Sequence, residues 1–161
     1  MPPGFLMKTE FMRAAIRLSL EKMRRGEGGP FGAVVVRRGK IAGRGWNRVT
    51  STNDPTAHAE LTAIRDACRR LKAFRLDDCE IYASCEPCPM CLAAIYWARI
   101  GKIFYAGARR DAAAAGFDDD SIYREMARPV SRRKIPMRQL LRGDALKVFK
   151  EWRDKPDKIR Y

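Results

Sequence analysis

No apolar run in this sequence approaches the roughly 20 residues that cross a bilayer; the longest, Leu92 to Trp97 and Gly32 to Val36, fall far short. Met1 to Leu20 interrupts its apolar residues with Lys8, Glu10, Arg13 and Arg17, so it lacks the unbroken core of a secretory leader, and the mature chain is expected to start where the sequence does. Repeats, low-complexity tracts and an interdomain linker are also missing, which excludes collagen-like and coiled-coil readings. Histidine is nearly absent, with His58 alone. Cysteine is present in an odd number, Cys68, Cys79, Cys85, Cys88 and Cys91, three of them crowded into seven residues. That pattern argues against a disulfide framework and for reduced thiols in the cytoplasm.

Acidic residues are in short supply: nineteen Asp and Glu face thirty-three Lys and Arg, a net charge of +14. More than half the excess lies between Arg124 and Tyr161, where thirteen basic residues meet five acidic ones, a local net of +8. Such a balance raises nucleic acid as a partner. The basic residues there are spaced through helical-looking sequence without interleaved aromatics, however, so a solvated helix face accounts for them equally well. What remains, 161 residues with 46% hydrophobic and 32% charged side chains, is the composition of one folded domain spanning residues 1–161.

Met12, Ile16, Leu20 and Met23 recur at helical spacing over Thr9 to Arg25 and are closed by Gly26. After the breaker Glu27-Gly28-Gly29-Pro30, the β-branched run to Val36, a turn at Arg37 to Lys40 and a second strand over Ile41 to Asn47 read as a hairpin. A polar loop, Arg48 to Asp54, leads to Pro55 at the first position of a helix that carries Ala59, Ala63, Ala67 and Leu71 and runs to about Arg70. Further strands are expected at Cys79 to Ala83 and Ile103 to Ala106, with a helix over Met90 to Ala98 between them. Helical patches follow at Ala112 to Ala115 and Ser121 to Met126, then a brief strand at Ile135-Pro136-Met137 and a last helix over Arg138 to Trp152. This order implies a three-layer α/β/α sandwich around a mixed sheet of about five strands.

Two segments carry chemistry: His58-Ala59-Glu60 at the start of the second helix, and Pro87-Cys88-Pro89-Met90-Cys91 at the start of the third. Cys88 and Cys91 are three apart and so share one helix face, and one histidine completes three ligands for a tetrahedral zinc with an open fourth position. Two thiolates cancel the formal charge of the metal, so a water there needs help to lose its proton, and Glu60 is the neighbouring base. His58 and Glu60 are two apart and would point to different sides of a regular helix; their cooperation requires that they sit at its start. Two other uses of these residues compete: a redox Cys-x-x-Cys after a strand, and a structural zinc with Cys85 as fourth ligand. Cys68 and Cys79 read as small core residues.

His-x-Glu followed by Pro-Cys-x-x-Cys is the signature of zinc deaminases that act on bases. Together with Gly28 to Val36, Asn53 to Glu60, Ser84 to Cys91 and Ala94 to Arg99, it makes the chain resemble the cytidine deaminase superfamily. Ala115-Gly116-Phe117-Asp118-Asp119, Ile122-Tyr123 and the terminal Tyr161 make it similar to the bacterial guanine deaminases within that group. The resemblance implies a cytidine deaminase-like fold and one zinc per subunit held by His58, Cys88 and Cys91. It implies that guanine and water become xanthine and ammonia by attack of a zinc-bound hydroxide at carbon 2, with Glu60 as proton shuttle and Asp119 assisting the leaving amine. By the same resemblance Asn47 hydrogen-bonds the purine, Phe31 stacks on it, the Ala59 backbone and Trp97 shape the pocket, and Tyr161 closes over the base. It further implies a homodimer whose segment from about 115 to 161 is exchanged between subunits. A tRNA adenosine deaminase shares the zinc motif and would use the positive charge, though the acidic loop at Asp118 to Asp120 stands where phosphates would be expected. A zinc-stabilised binding module would hold the metal without needing Glu60.

Overall fold

The computed structural model describes residues 9–161; residues 1–8, part of the stretch that lacks a leader's core, lie outside the described residues. The chain divides into two units, 1–120 and 121–161. In the first unit, helix α1 (Thr9–Arg24) precedes strands β1 (Gly32–Arg37) and β2 (Lys40–Trp46). A short helix α2 (Val49–Thr52), helix α3 (Ala59–Leu71), strand β3 (Cys79–Cys85), helix α4 (Pro89–Trp97), strand β4 (Lys102–Gly107) and helix α5 (Arg109–Ala114) follow.

The sheet among the described residues has four strands in the order β2-β1-β3-β4, antiparallel except for the parallel pair β3/β4, and not about five. Ile135-Pro136-Met137 forms no strand: Pro136 has no N–H to give a ladder, and Ile135 is exposed. The hairpin turn is as the sequence suggests, with Arg38 and Gly39 both at positive φ, 50° and 74°, as a two-residue turn between twisted strands requires.

Because side chains alternate along a strand, the two faces of β1 and β3 separate cleanly. Ala33, Val35, Ile81 and Ala83 pack with Ala59, Ala63 and Ala67 of α3 and Ile95 of α4. Val34, Val36, Tyr82 and Phe104 pack on the other face around Phe11 of α1. This is the expected three-layer arrangement, and burial on both faces explains why β1 reads as an unbroken apolar run. On α1 the buried stripe is Phe11, Ala15 and Ser19, whereas Ile16, Leu20 and Met23 of the apparent apolar stripe are exposed. Gly32 decides this choice, because a Cβ there would come within 2.3 Å of the Ala15 carbonyl oxygen. The helix backbone therefore lies directly on the strand, and only a small-residue face allows it.

The region before α3 differs from its expected form. Helix α3 starts at Ala59, not Pro55, since the Asp54 carboxylate accepts from the Thr56 N–H at 2.8 Å and its hydroxyl at 2.6 Å, which closes a local turn that competes with the helix. The polar stretch before it contains α2 where a loop was expected.

The second unit holds most of helix α6 (Asp120–Met126), a 3-10 turn at Val130–Arg132 and helix α7 (Arg142–Asp154). Helix α7 begins at Arg142 and not Arg138, because Leu141 takes a left-handed conformation, φ 49°, at its N-terminal boundary. No residue of this unit is buried, and Leu140, Leu141, Val148 and Phe149 are exposed.

Strand β2 approaches α3 through Gly43 and Gly45; a Cβ on Gly45 would stand 2.2 Å from both the Ala59 oxygen and the Ala63 nitrogen. Both atoms are backbone, so relief would require the helix to shift. We expect Gly45→Ala to lower the unfolding free energy by about 1–3 kcal/mol or more, the cost of overpacking a rigid site, measured by chemical denaturation.

Candidate active site

Both chemical segments sit at helix starts, and the backbone there explains their spacing. His58 is the residue before α3, in extended conformation (φ −70°, ψ 159°), so Glu60 is only the second helical residue and the helical angle between them does not apply. Cys88 takes the same place before α4 (φ −66°, ψ 169°), with Pro89 at the first helical position, where its missing N–H costs nothing. Cys91 then returns on the first turn.

The two helix starts bring the three ligand atoms together. His58 Nδ1 lies 3.5 Å from the Cys88 sulfur and 3.5 Å from the Cys91 sulfur. A tetrahedral zinc at about 2.0–2.1 Å from nitrogen and about 2.3 Å from sulfur would set this edge at about 3.5 Å, so the donor set and its separation fit the metal. Cys85 is not among the cluster of His58, Cys88 and Cys91, and its thiol reaches instead toward the Ala108 carbonyl at 3.8 Å. Burial pushes that thiol up to about 11. Three protein ligands and an open position are therefore the arrangement among the described residues, and a closed four-ligand structural site is not formed. The Cys-x-x-Cys does follow a strand and head the crossover helix of a parallel β3-α4-β4 unit, the position of a redox pair, so position alone does not separate the two uses. The imidazole against both sulfurs does.

The electrostatics suit a metal site. A hydrogen bond from the Cys91 thiol, with His58 also adjacent, holds Cys88 down at about 4, as a thiolate. Cys91 is raised, since it gives its proton to that bond and is buried. His58 is raised by the hydrogen bond to Cys88. Glu60 is 7% exposed, and burial, supplemented by the Cys88 charge, pushes it up to about 7. Asp119 is raised, first by burial and then by Cys88.

Phe31, Asn47, His58, Glu60, Cys88 and Asp119 line one pocket. The Asn47 Oδ1 accepts the backbone N–H groups of Gly29 at 3.2 Å and Val49 at 3.3 Å, which leaves its Nδ2 as the uncommitted polar atom. Ala59 is buried at the first position of α3, where a backbone N–H has no partner within the helix. Trp97 is not brought to this pocket: it is 64% exposed and lies with Tyr96 and Arg99 at the C-terminal end of α4. Tyr161 is an exposed residue of the second unit. Three further residues line the pocket. Cys85 ends β3, Glu86 opens the loop that carries Cys88, and Glu86 accepts the Arg109 N–H at 3.0 Å. Phe117 meets Phe31 edge to face, with ring centroids 4.8 Å apart at 83°. Glu86 was within sight of the motif; Phe117 depends on a long-range packing contact that no local spacing encodes.

The fold and the ligand cluster define a zinc-binding deaminase, and the profile of the cytidine and deoxycytidylate deaminase zinc-binding region matches residues 7–107. Similarity over the whole length narrows this. The guanine deaminase of Bacillus subtilis is 53% identical over 151 residues, 94% of this chain and 97% of that one. An X-ray structure of guanine deaminase from Bacillus subtilis superposes with a TM-score of 0.93 at 51% identity, covering 97% of this chain and 99% of that one. A solved guanine deaminase from Nitrosomonas europaea is 29% identical with a TM-score of 0.68, over 90% of this chain and 84% of the other. The tRNA-specific adenosine deaminase of Aquifex aeolicus is 41% identical over 99 residues, 62% of this chain and 65% of that one. The chain belongs to the guanine deaminase family of zinc-dependent deaminases.

Metal ligation requires both sulfurs as thiolates and a neutral imidazole. The Cys91 thiol and the raised His58 hold protons that zinc must displace, so affinity for zinc should rise with pH. Calorimetric titration of the metal-free protein in buffers of different ionisation enthalpy should count at least one proton released per zinc near neutral pH.

Proposed function

We propose that the protein hydrolyses guanine to xanthine and ammonia. The observation that carries this reading is the extent of the likeness: it takes in 97% of the Bacillus subtilis guanine deaminase, whereas the likeness to the Aquifex aeolicus tRNA deaminase covers 65% of that protein. Zinc, held by His58, Cys88 and Cys91, supplies the acidification of water when it is bound. Glu60, buried in the same pocket, would move a proton from the attacking water to a ring nitrogen of the base while oxygen adds to carbon 2. Its position near neutrality suits this, since a group at about 7 accepts and gives up a proton with similar ease. The resulting tetrahedral carbon carries hydroxyl and amino groups, and loss of the amine as ammonia leaves the new carbonyl. Asp119, raised by burial and lining the same pocket, helps protonate that amine. Asn47 donates from Nδ2 to an acceptor of the base, Phe31 stacks on it with Phe117 bracing the ring, and the Ala59 N–H borders the pocket floor.

We further assign the protein to a cytoplasmic homodimer. No helix of the described residues is long and apolar enough to cross a membrane, and its cysteines are free. Tyr96 and Trp97 are 71% and 64% exposed, the large aromatics that anchor interfaces. Exchange of the whole segment from about 115 to 161 would carry both Asp119 and Tyr161 to the partner's site. Asp119 and Phe117 line this chain's own pocket, so the exchange that the exposed apolar side chains of the second unit support begins after Asp120 and makes Tyr161 the residue that serves the partner.

Glu60→Gln should keep its zinc and lose about 10²- to 10⁴-fold in ammonia release from free guanine. Retained turnover would overturn the mechanism, and release only from an adenosine-containing anticodon stem-loop by the unaltered protein would overturn the substrate. Mixing Glu60→Gln with Tyr161→Ala, each weakly active alone, should restore turnover if Tyr161 serves the partner; no recovery on mixing would place it in its own subunit's site.

A further inference from the structure

A second concavity carries charge that deamination of a neutral base does not use. It is a groove of about 570 Å³ that shares no lining residue with the zinc pocket. One wall is β2 and the segment after it, contributing Arg44, Trp46 and Arg48; the other is the exposed side of α3, contributing Arg65, Arg69 and Arg70. Strand alternation puts Arg44 and Trp46 on one side, and the helical turn puts Arg65 and Arg69 on one stripe. The only carboxylates in the lining are Asp54 and Asp66, so five arginines face two acids, a net of +3. Both acids are engaged. Asp66 accepts the Arg44 backbone N–H at 3.0 Å and the Arg69 and Arg70 guanidinium groups at 2.6 and 2.8 Å. Asp54 accepts from Thr56 and lies 3.7 Å from Arg65.

From this arrangement we infer that the groove binds a compact polyphosphate, the chemistry shared by inorganic triphosphate and the tail of a nucleoside triphosphate. Its volume is in the range of small-ligand sites. Guanidinium forks approaching from two walls match phosphate oxygens, which accept paired N–H groups and carry the compensating charge. Recognition is of the phosphates and not of a base. The Trp46 ring, the one aromatic in the lining, is covered by the Lys22 ammonium at 4.1 Å and the Arg48 guanidinium at 5.5 Å, so it orients cations instead of offering a stacking platform. The same covering disfavours a single-stranded RNA track, which needs open aromatic faces along a line of charge.

Titration calorimetry on the zinc-loaded protein with inorganic triphosphate, ATP and a twelve-nucleotide single-stranded RNA tests this. Triphosphate and ATP should bind with similar affinity and weaken between 50 and 300 mM KCl. Arg65→Ala/Arg69→Ala should weaken both by about tenfold or more, as expected for lost charge-assisted hydrogen bonds. Arg13→Ala/Arg17→Ala, which removes the same charge from the exposed side of α1, should leave binding nearly unchanged. Guanine turnover and zinc content report that each variant is folded, and Arg44→Ala on the opposite wall gives an independent loss if the double variant is not. No binding of triphosphate, equal weakening by the α1 control, or RNA binding with neither triphosphate nor ATP would overturn the proposal.

Discussion

The close approach of α3 to β2 is the constraint from which the site follows. Gly43 and Gly45 remove two side chains from the strand face on which the helix lies, so Ala59 and Ala63 backbone atoms pack where a Cβ would otherwise be. Small residues on the helix, Ala59, Ala63 and Ala67, answer the small residues on the strand. The result is a helix held by backbone contact, with its first turn in a fixed place. A flexible layer of large side chains would allow α3 to slide, and a metal site tolerates little of that.

Holding α3 matters because its start must meet the start of α4, a segment from a different part of the sheet. His58 and Cys88 are each the extended residue that precedes its helix, and each helix start contributes N–H groups without a partner inside the helix and a positive dipole end. That field favours the Cys88 thiolate and opposes the burial that raises Glu60. The separation of roles between a permanently charged sulfur and a carboxyl near neutrality thus comes from environment: Cys88 has a donor in Cys91, whereas Glu60 is dominated by loss of water.

The ligand set was legible in the sequence because its residues are chemically rare and their spacing is local; one histidine and a Cys-x-x-Cys leave little choice. The layers were legible too, since β1 is apolar on both faces and α3 is periodic in alanine. What was not legible depended on contacts between distant residues. Nothing local says that Ile16, Leu20 and Met23 face outward on α1, because the choice of face is made by Gly32 against Ala15. A fifth strand does not form at Ile135-Pro136-Met137 for a local reason, the missing N–H of Pro136. Phe117 and the paired walls of the arginine groove arise only when β2, α3 and the loop after α5 are assembled.

Asn47 shows what such assembly does to a single side chain. With its oxygen committed to Gly29 and Val49, turning the amide over would present an NH₂ group to two backbone donors, and the pocket would lose both bonds together. Gly28 lets the preceding loop lie directly on this residue, since a Cβ there would stand 1.9 Å from the Asn47 backbone carbonyl oxygen. The side chain therefore presents a fixed polarity to the pocket: a group that arrives opposite its NH₂ must bring a lone pair, and one that brings a hydrogen finds no alternative orientation to meet it.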